Sequence, residues 1–109
     1  MPVLRRLKEA MNSILQKNTD KCFICHSQNW LEWHHVYNAA YRKKSDKLGL
    51  VVRLCHWCHN EAPNGVHHNR EVRRKLQAYA QAKAMKEFKW SVDDFIKEFG
   101  RNYLNGDQD

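Results

Sequence analysis

The sequence lacks any long uninterrupted run of apolar residues. A transmembrane helix needs about 20 consecutive, predominantly apolar residues, so a membrane-spanning helix is excluded. The first residues also lack the apolar stretch of a secretory signal, and we therefore expect an intracellular protein with no membrane partner. Internal repeats and low-complexity tracts are absent as well, which favours one compact domain.

Acidic residues are too few to balance the basic ones. The 109 residues include 19 Lys and Arg against 12 Asp and Glu, which gives a formal net charge of +7. A basic surface favours a polyanionic partner, and nucleic acid is the commonest such partner of a small basic protein. Charge alone leaves a merely solvated basic surface equally open.

Apolar spacing predicts the elements of the N-terminal half. Apolar residues recur every three or four positions within residues 3–15, as they do on one face of a helix. We expect an extended segment at residues 31–36 and a basic loop at residues 38–47. Residues 50–54 are short and β-branched, and this pattern predicts a strand.

Capping residues predict the elements of the C-terminal half. A short helix or turn is expected after the last cysteine, closed by the loop Pro63-Asn64-Gly65. Asn69 is expected to cap a helix that extends to about residue 88. Ser91 is expected to begin another helix, with Gly100 as its C-terminal cap. Together these elements predict an α+β fold.

Two Cys-x-x-Cys pairs, Cys22/Cys25 and Cys55/Cys58, have the spacing of zinc knuckles. Each turn can point two thiolates at one centre, and two turns complete a tetrahedral cage. The alternatives are a redox dithiol, which needs only one pair, and two disulfides, which do not suit an intracellular protein. The pattern therefore favours a structural Zn²⁺, whose four protein ligands leave no open position for catalysis.

The seven histidines are concentrated around the cysteines. His34 and His35 end the first extended segment, His59 directly follows Cys58, and His67 comes eight residues later. One ion held by both cysteine pairs draws the segments of His34-His35 and His59 together, so we expect these imidazoles to converge. A zinc-binding module with incidental histidines is the alternative.

In these segments the sequence resembles the HNH endonucleases, also called ββα-metal or His-Me finger nucleases. The matching motifs are Cys22-Phe-Ile-Cys25, Leu31-Glu-Trp-His-His-Val36, Leu54-Cys-His-Trp-Cys-His59 and Gly65-Val-His-His-Asn69. The segment from His67 to Leu104 further resembles small phage and prophage HNH proteins, so the resemblance covers residues 22–104. It implies a protein that acts in the cytoplasm of a bacterial host cell.

The resemblance implies a ββα-metal motif with four-cysteine zinc knuckles and flanking N- and C-terminal helices. We expect an N-terminal helix in residues 1–20, a zinc-stapled nuclease core in residues 21–69, a helical extension in residues 70–104 and a flexible tail in residues 105–109. The implied activity is metal-dependent hydrolysis of phosphodiester bonds by an endonuclease or nickase of low sequence specificity. Its substrate is duplex, nicked or branched DNA, and both a monomer and a dimer stay open.

The resemblance also implies roles for four histidines. His35 matches the general base that takes a proton from the attacking water, a task that suits imidazole because it titrates near neutral pH. His34 and His59 match ligands of the catalytic metal, and His67 is a third ligand or a phosphate contact. Mg²⁺ is the ion expected from the family, but several imidazoles favour Mn²⁺, Ni²⁺ or Zn²⁺, so the ion stays open.

One position departs from the family pattern. The central Asn of the HNH motif, which normally holds the loop carrying the base, is replaced here by Gly49-Leu50. Asn38 is a candidate to take over that task. The departure motivates an alternative function, namely a zinc-stapled DNA-binding or adaptor module whose nuclease site has decayed.

Basic residues flank the histidine motifs on both sides, where they can neutralise DNA phosphates without reading bases. These candidate DNA contacts are Arg42, Lys43, Lys44, Lys47, Arg70, Arg73 and Arg74. A solvated helix surface is the alternative for each one. Three tryptophans are instead expected to pack around the zinc site rather than to stack on bases: Trp30, Trp33 and Trp57.

Overall fold

A computed structural model describes residues 12–61 and 63–104 of the chain. The strands are β1 (Leu31–His35) and β2 (Val51–Cys55). The helices are α1 (Arg42–Leu48), α2 (His56–Asn60), α3 (Arg70–Phe88) and α4 (Val92–Phe99), and a short 3-10 turn (Ala39–Tyr41) precedes α1. This part of the chain is therefore an α+β fold, as predicted, and it contains no helix long and apolar enough to cross a membrane.

The two strands form an antiparallel sheet, and its register decides which side chains share a face. His34 lies opposite Val52, and Trp33 lies opposite Arg53. Because successive side chains of a strand point to opposite faces, Glu32 and His34 share one face, while Trp33 and His35 share the other. Helix α2 begins at the residue after β2, so the order is strand, strand, helix.

One hydrophobic core joins the sheet to the two long helices. It contains side chains from the segment before β1, from both ends of the sheet, from α3 and from α4. The most deeply buried members include Leu50, Leu54, Val66, Phe95 and Phe99. The core leaves the end of β1, where the paired histidines lie, at the edge of the packed interior.

Capping chemistry sets the ends of the long helices, as the sequence predicted. The Asn69 side chain accepts a hydrogen bond from the Val72 amide at 3.0 Å at the start of α3. Ser91 and Asp94 form a reciprocal capping box at the start of α4. Helix α4 ends at Gly100, whose φ of +88° is easily adopted only by glycine.

Replacement of Ser91 by alanine removes this capping box. We expect the free energy of unfolding to fall by about 1 kcal/mol, because the Asp94 amide loses its acceptor. Urea denaturation of wild type and variant measures the change. Lys86→Ala, at an exposed position of α3, is the control and should change the free energy by less than about 0.5 kcal/mol.

Two predictions for the N-terminal half were wrong. Residues 42–47 of the expected basic loop belong to helix α1. Residues 12–20 of the expected N-terminal helix are irregular. The Ser13 hydroxyl accepts hydrogen bonds from the Leu15 and Gln16 amides and so competes with a helix. The rest of that helix and the predicted tail at residues 105–109 lie outside the described residues.

Candidate metal-binding site

The four cysteines form one cluster. Cys22 and Cys25 lie in the turn before β1, Cys55 ends β2, and Cys58 lies in α2. Their sulfur atoms all lie within 4.8 Å of one another, and the Cys25 and Cys55 sulfurs are 3.6 Å apart. A disulfide requires about 2.05 Å between sulfurs, so no two of these cysteines are bonded to each other. The cluster can hold one metal ion.

The environment of Cys22 stabilises a thiolate. Burial raises the pKa of this thiol, but hydrogen bonds from backbone N–H groups, including those of Cys25 and Ile24, outweigh burial and lower the pKa to about 7. Burial raises the pKa of Cys58, and the neighbouring Cys55 and Cys22 sulfurs raise it further. Four adjacent thiolates repel one another, and a shared cation removes this repulsion.

Three of the histidines predicted to converge do so. His34 comes from β1, His59 from α2 and His67 from the segment before α3, and one ring nitrogen of each lies within 4.8 Å of the others. The Nε2 atoms of His59 and His67 are 3.1 Å apart. The His34 ring contacts both of the other rings edge-on, at centroid distances of 5.1 and 5.2 Å. This histidine cluster can hold a second metal ion.

Burial favours the neutral form of two of the clustered histidines, His34 and His67. His34 is only 2% exposed, and its loss of solvent, followed by the charges of His59 and His67, lowers its pKa to about 3. Burial, followed by the nearby His59, also lowers the pKa of His67. Neutral imidazoles retain the lone pairs that metal coordination requires, so the cluster is ready to bind an ion at neutral pH.

Glu32 fixes the orientation of the His59 ring. Its Oε1 atom accepts hydrogen bonds from His59 Nδ1 at 2.7 Å and from the Asn60 side-chain amide at 3.0 Å. Because an ionised carboxylate only accepts, His59 carries its hydrogen on Nδ1 and directs the lone pair of Nε2 toward His67. The hydrogen bond from His59, followed by that from His56, lowers the pKa of Glu32.

Sequence reasoning did not single out Glu32, although a signal was available. In a strand, residues two apart share a face, and this places Glu32 on the face of His34. The other oxygen of Glu32 lies 3.3 Å from His56 Nδ1, and Glu61 holds the opposite ring nitrogen of His56 at 2.6 Å. Hydrogen bonding to Glu61 and then to Glu32 raises the pKa of His56.

His35 lies on the other face of β1 and is paired with an acid. Its Nε2 atom is 2.6 Å from Asp46 Oδ1, a residue of α1. The carboxylate accepts, so Nε2 donates its hydrogen and Nδ1 keeps a lone pair. Asn38 was expected to support this histidine, but its side chain forms no cap for the 3-10 turn, and the hydrogen-bond partner of His35 is Asp46. The fold of residues 42–48 as a helix makes this pairing possible.

A cleft of about 300 Å³ brings the two histidine environments together. It is lined by Trp33, His34, His35, Asn38, Ala39, Arg42, His59 and His67. The cleft therefore exposes a candidate ligand cluster and a candidate base to the same solvent space, with the cationic Arg42 at its wall.

The other predicted DNA contacts have different surroundings. Arg73 donates a hydrogen bond to the Val66 carbonyl at 3.0 Å, and its charge contributes to lowering the pKa values of the clustered histidines. Lys44 is paired with Glu98 at 3.0 Å, which ties it to α4 rather than to a ligand. Lys43, Lys47 and Arg70 are exposed, and Arg74 is half-buried within α3.

The departure at Gly49 has a steric explanation. Gly49 caps α1 with a φ of +79°, and a Cβ atom there would lie 2.8 Å from the Asn12 carbonyl oxygen and 3.2 Å from an Ile14 methyl carbon. The Gly49 carbonyl also accepts a hydrogen bond from the Ile14 amide at 2.9 Å. The N-terminal segment therefore occupies the space that an asparagine at this position needs.

The three tryptophans predicted to pack around the zinc site differ in exposure. Trp30 and Trp57 are 59% and 55% exposed, so neither is buried against the cysteine cluster. Trp33 is half-buried and stacks under the Arg53 guanidinium at 4.8 Å, its cross-strand partner. Trp33 is less exposed than the other two because it alone lies in the sheet opposite a long side chain, that of Arg53.

Comparisons of the chain with models of known protein families, with curated proteins and with solved structures give no match. A function must therefore be argued from the geometry of the two clusters and from the chemistry of their side chains.

Proposed function

We propose that this protein is a metal-dependent DNA endonuclease of the HNH type, in which β1, β2 and α2 form the ββα-metal motif. The observation that carries the proposal is the convergence of His34, His59 and His67 on one point, beside a cleft that also contains His35. Three neutral imidazoles next to a fourth, acid-paired imidazole suit metal-assisted hydrolysis and serve no evident structural purpose.

The cysteine cluster is proposed to hold a structural Zn²⁺. Tetrahedral coordination with Zn–S bonds of about 2.3 Å separates the sulfurs by about 3.8 Å. The observed separation of 3.6 Å between Cys25 and Cys55 is close to this value. An ion here ties the turn before β1 to the end of β2 and the start of α2, and so holds His34 near His59.

The histidine cluster is proposed to hold the catalytic ion. With metal–nitrogen bonds of about 2.0–2.1 Å, two tetrahedral ligands lie about 3.3 Å apart, and the His59 and His67 nitrogens are 3.1 Å apart. Three protein ligands leave coordination positions open for a phosphate oxygen and water. Imidazole ligands favour Mn²⁺, Ni²⁺ or Zn²⁺ over Mg²⁺, so one of the first three ions is the proposed cofactor.

The residues of the cleft have different roles in the proposed hydrolysis. His34, His59 and His67 would hold a divalent ion, whose positive charge would stabilise the negative charge that develops during hydrolysis. The Nδ1 lone pair of His35 accepts a proton from water, while Asp46 holds the opposite nitrogen. The water oxygen forms a bond to phosphorus, and the bond to the 3′ oxygen breaks with its electron pair. Arg42, which lines the cleft, and Arg73, whose charge acts on His34 and His67, supply positive charge for the phosphate.

Supercoiled plasmid tests the proposed activity. Protein with a filled cysteine cluster is freed of weakly bound ions and incubated with Mg²⁺, Mn²⁺, Ni²⁺, Zn²⁺ or no added ion, and nicked and linear products are resolved on a gel. We expect cleavage with Mn²⁺ or Ni²⁺ and little without an added ion. A folded protein that cuts with none of these ions contradicts the proposal.

Glu32→Gln tests the histidine cluster without removing a ligand. Glutamine keeps the length of the side chain but loses the charge that holds His59, so we expect the affinity for Mn²⁺ or Ni²⁺ to fall about 10- to 100-fold. Isothermal titration calorimetry measures the affinity. Glu98→Gln is the matched control, because Glu98 pairs with Lys44 away from the cluster. Equal affinities of Glu32→Gln and wild type would exclude this role for Glu32.

A second candidate function rests on Gly49. Without the family's asparagine, the cleft serves a zinc-stapled DNA-binding module in which hydrolysis has been lost. Binding of duplex DNA that weakens with salt, together with no cleavage under any of these divalent ions, favours this function over the first.

A further inference from the structure

Three aromatic side chains form an exposed surface beside the histidine cluster, here called the aromatic platform: Trp30, His56 and Trp57. The Trp30 and His56 rings are stacked, with centroids 4.1 Å apart and planes 9° from parallel. Trp57 meets Trp30 edge-to-face at 5.3 Å. Both indoles nevertheless remain more than half exposed, which is unusual for the largest apolar side chain.

The backbone holds this arrangement in place. Trp30 has a φ of +51°, a conformation that a bulky residue adopts only when its surroundings impose it. The Trp30 carbonyl accepts a hydrogen bond from the His56 amide at 2.9 Å, which fixes the loop before β1 to the start of α2. The positive φ of Trp30 thus holds its indole in solvent, whereas apolar residues elsewhere in the chain pack in the core.

Glu32 connects the platform to the histidine cluster. One of its oxygens holds His59 and the other lies against His56. These two histidines are three residues apart in α2, which is about 4.5 Å along the helix axis. Successive nucleotides of one strand rise by about 3.4 Å, so the platform lies within about one or two nucleotides of a phosphate bound at the cluster.

We propose that the aromatic platform binds an unpaired base of the DNA substrate by stacking, so that the enzyme acts on single-stranded or branched DNA. This inference rests on the proposed function and specifies its substrate class. A base within a duplex has both faces covered by its neighbours, whereas an unpaired base offers a flat face to an exposed indole. A net charge of +7 favours a nucleic acid as the source of that base.

The charges around the platform favour a base rather than a phosphate at this position. Glu32 and Glu61 lie beside His56 and repel a phosphate there. The cations Arg42 and Arg73 lie instead on the side of the histidine cluster. If a DNA strand binds with its phosphate at the histidine cluster and its base on the platform, the phosphate lies near the two arginines. The uncharged base then lies near the two glutamates.

Binding measurements on the zinc-loaded protein test the inference. Fluorescence anisotropy of a labelled oligothymidine and of a duplex of equal length, without added divalent ion, gives both affinities. We expect Trp57→Ala to weaken binding of the single strand about 10-fold and to change duplex binding less than twofold. Trp57→Phe should retain most of the affinity, and Leu104→Ala, which removes an exposed apolar side chain elsewhere, should bind as wild type does.

Two results would overturn the inference. One is equal affinity of wild type and Trp57→Ala for the single strand, which would assign the platform to another partner such as a protein. The other is an equal loss for single strand and duplex, which would indicate a general defect. The plasmid assay with wild type reports separately on the proposed function. A Trp57-dependent preference for single strands without cleavage rejects the nuclease but keeps the base-binding platform. Cleavage without that preference keeps the nuclease but rejects the platform.

Discussion

Replacement of His35 by alanine is expected to lower the rate of DNA cleavage by about 10²- to 10⁴-fold, the usual contribution of a general base. His35 is the one histidine lining the cleft that lies outside the ligand cluster, and Asp46 holds its ring at 2.6 Å. Its loss removes the acceptor for the proton of water but leaves the three clustered imidazoles intact. Initial rates of plasmid nicking at saturating Mn²⁺ measure the effect.

Metal binding separates this role from a structural one. His35→Ala should bind Mn²⁺ or Ni²⁺ with the affinity of wild type, since His35 is not among the clustered ligands. His68→Ala, an exposed histidine next to His67, is the matched control and should cut at the wild-type rate. Undiminished cleavage by His35→Ala would remove this residue from the mechanism, and a parallel loss of metal affinity would assign it to the ligand set instead.

Loss of the ion proposed for the cysteine cluster is expected to unfold the domain. Structural Zn²⁺ contributes about 10–16 kcal/mol to the folding of zinc-finger peptides, as much as the whole stability of a small domain. Cys22 is fully buried, and Cys22→Ser puts a hydroxyl where a thiolate would bind the ion. The three remaining cysteines then form an incomplete zinc site. We expect no cooperative thermal transition in its circular dichroism and less than one zinc per chain.

A ligand of the other cluster provides the contrast. His67→Ala should retain the zinc and the cooperative transition, because His67 is largely exposed and lies outside the hydrophobic core. The same variant should bind the second ion weakly and cut slowly. If Cys22→Ser melted as wild type does, the cysteine cluster would not hold the fold together, and the convergence of the histidines would need another cause.

These two experiments assign separate tasks to two neighbouring clusters. The four sulfurs offer a closed set of ligands suited to stability, while the three nitrogens form an incomplete set that leaves positions for a substrate. Both clusters take residues from α2, since Cys58 and His59 are adjacent. Binding of an ion by the sulfurs therefore positions the His59 ligand directly through the backbone.

Several features of the fold could be predicted because they depend on local chemistry. Asn69 and Ser91 cap helices, since their side chains satisfy amides two or three residues away. Gly100 ends α4 because its missing Cβ permits a positive φ. The grouping of the four cysteines was also predictable, since Cys-x-x-Cys turns direct two sulfurs to one side.

The sequence by itself determined that imidazoles would lie near a cysteine cluster. The histidines are close to the Cys-x-x-Cys motifs in sequence, so grouping of the cysteines brings them together whatever the rest of the chain does. Only the tertiary structure decided which groups support them. Asp46 reaches His35 through a helix expected to be a loop, and Glu32 reaches His59 across from another element. The exposed Trp30 and the filled space at Gly49 likewise depend on segments distant in sequence. Packing between elements brings these groups into contact. Neither local spacing nor secondary-structure propensity predicts which residues will meet.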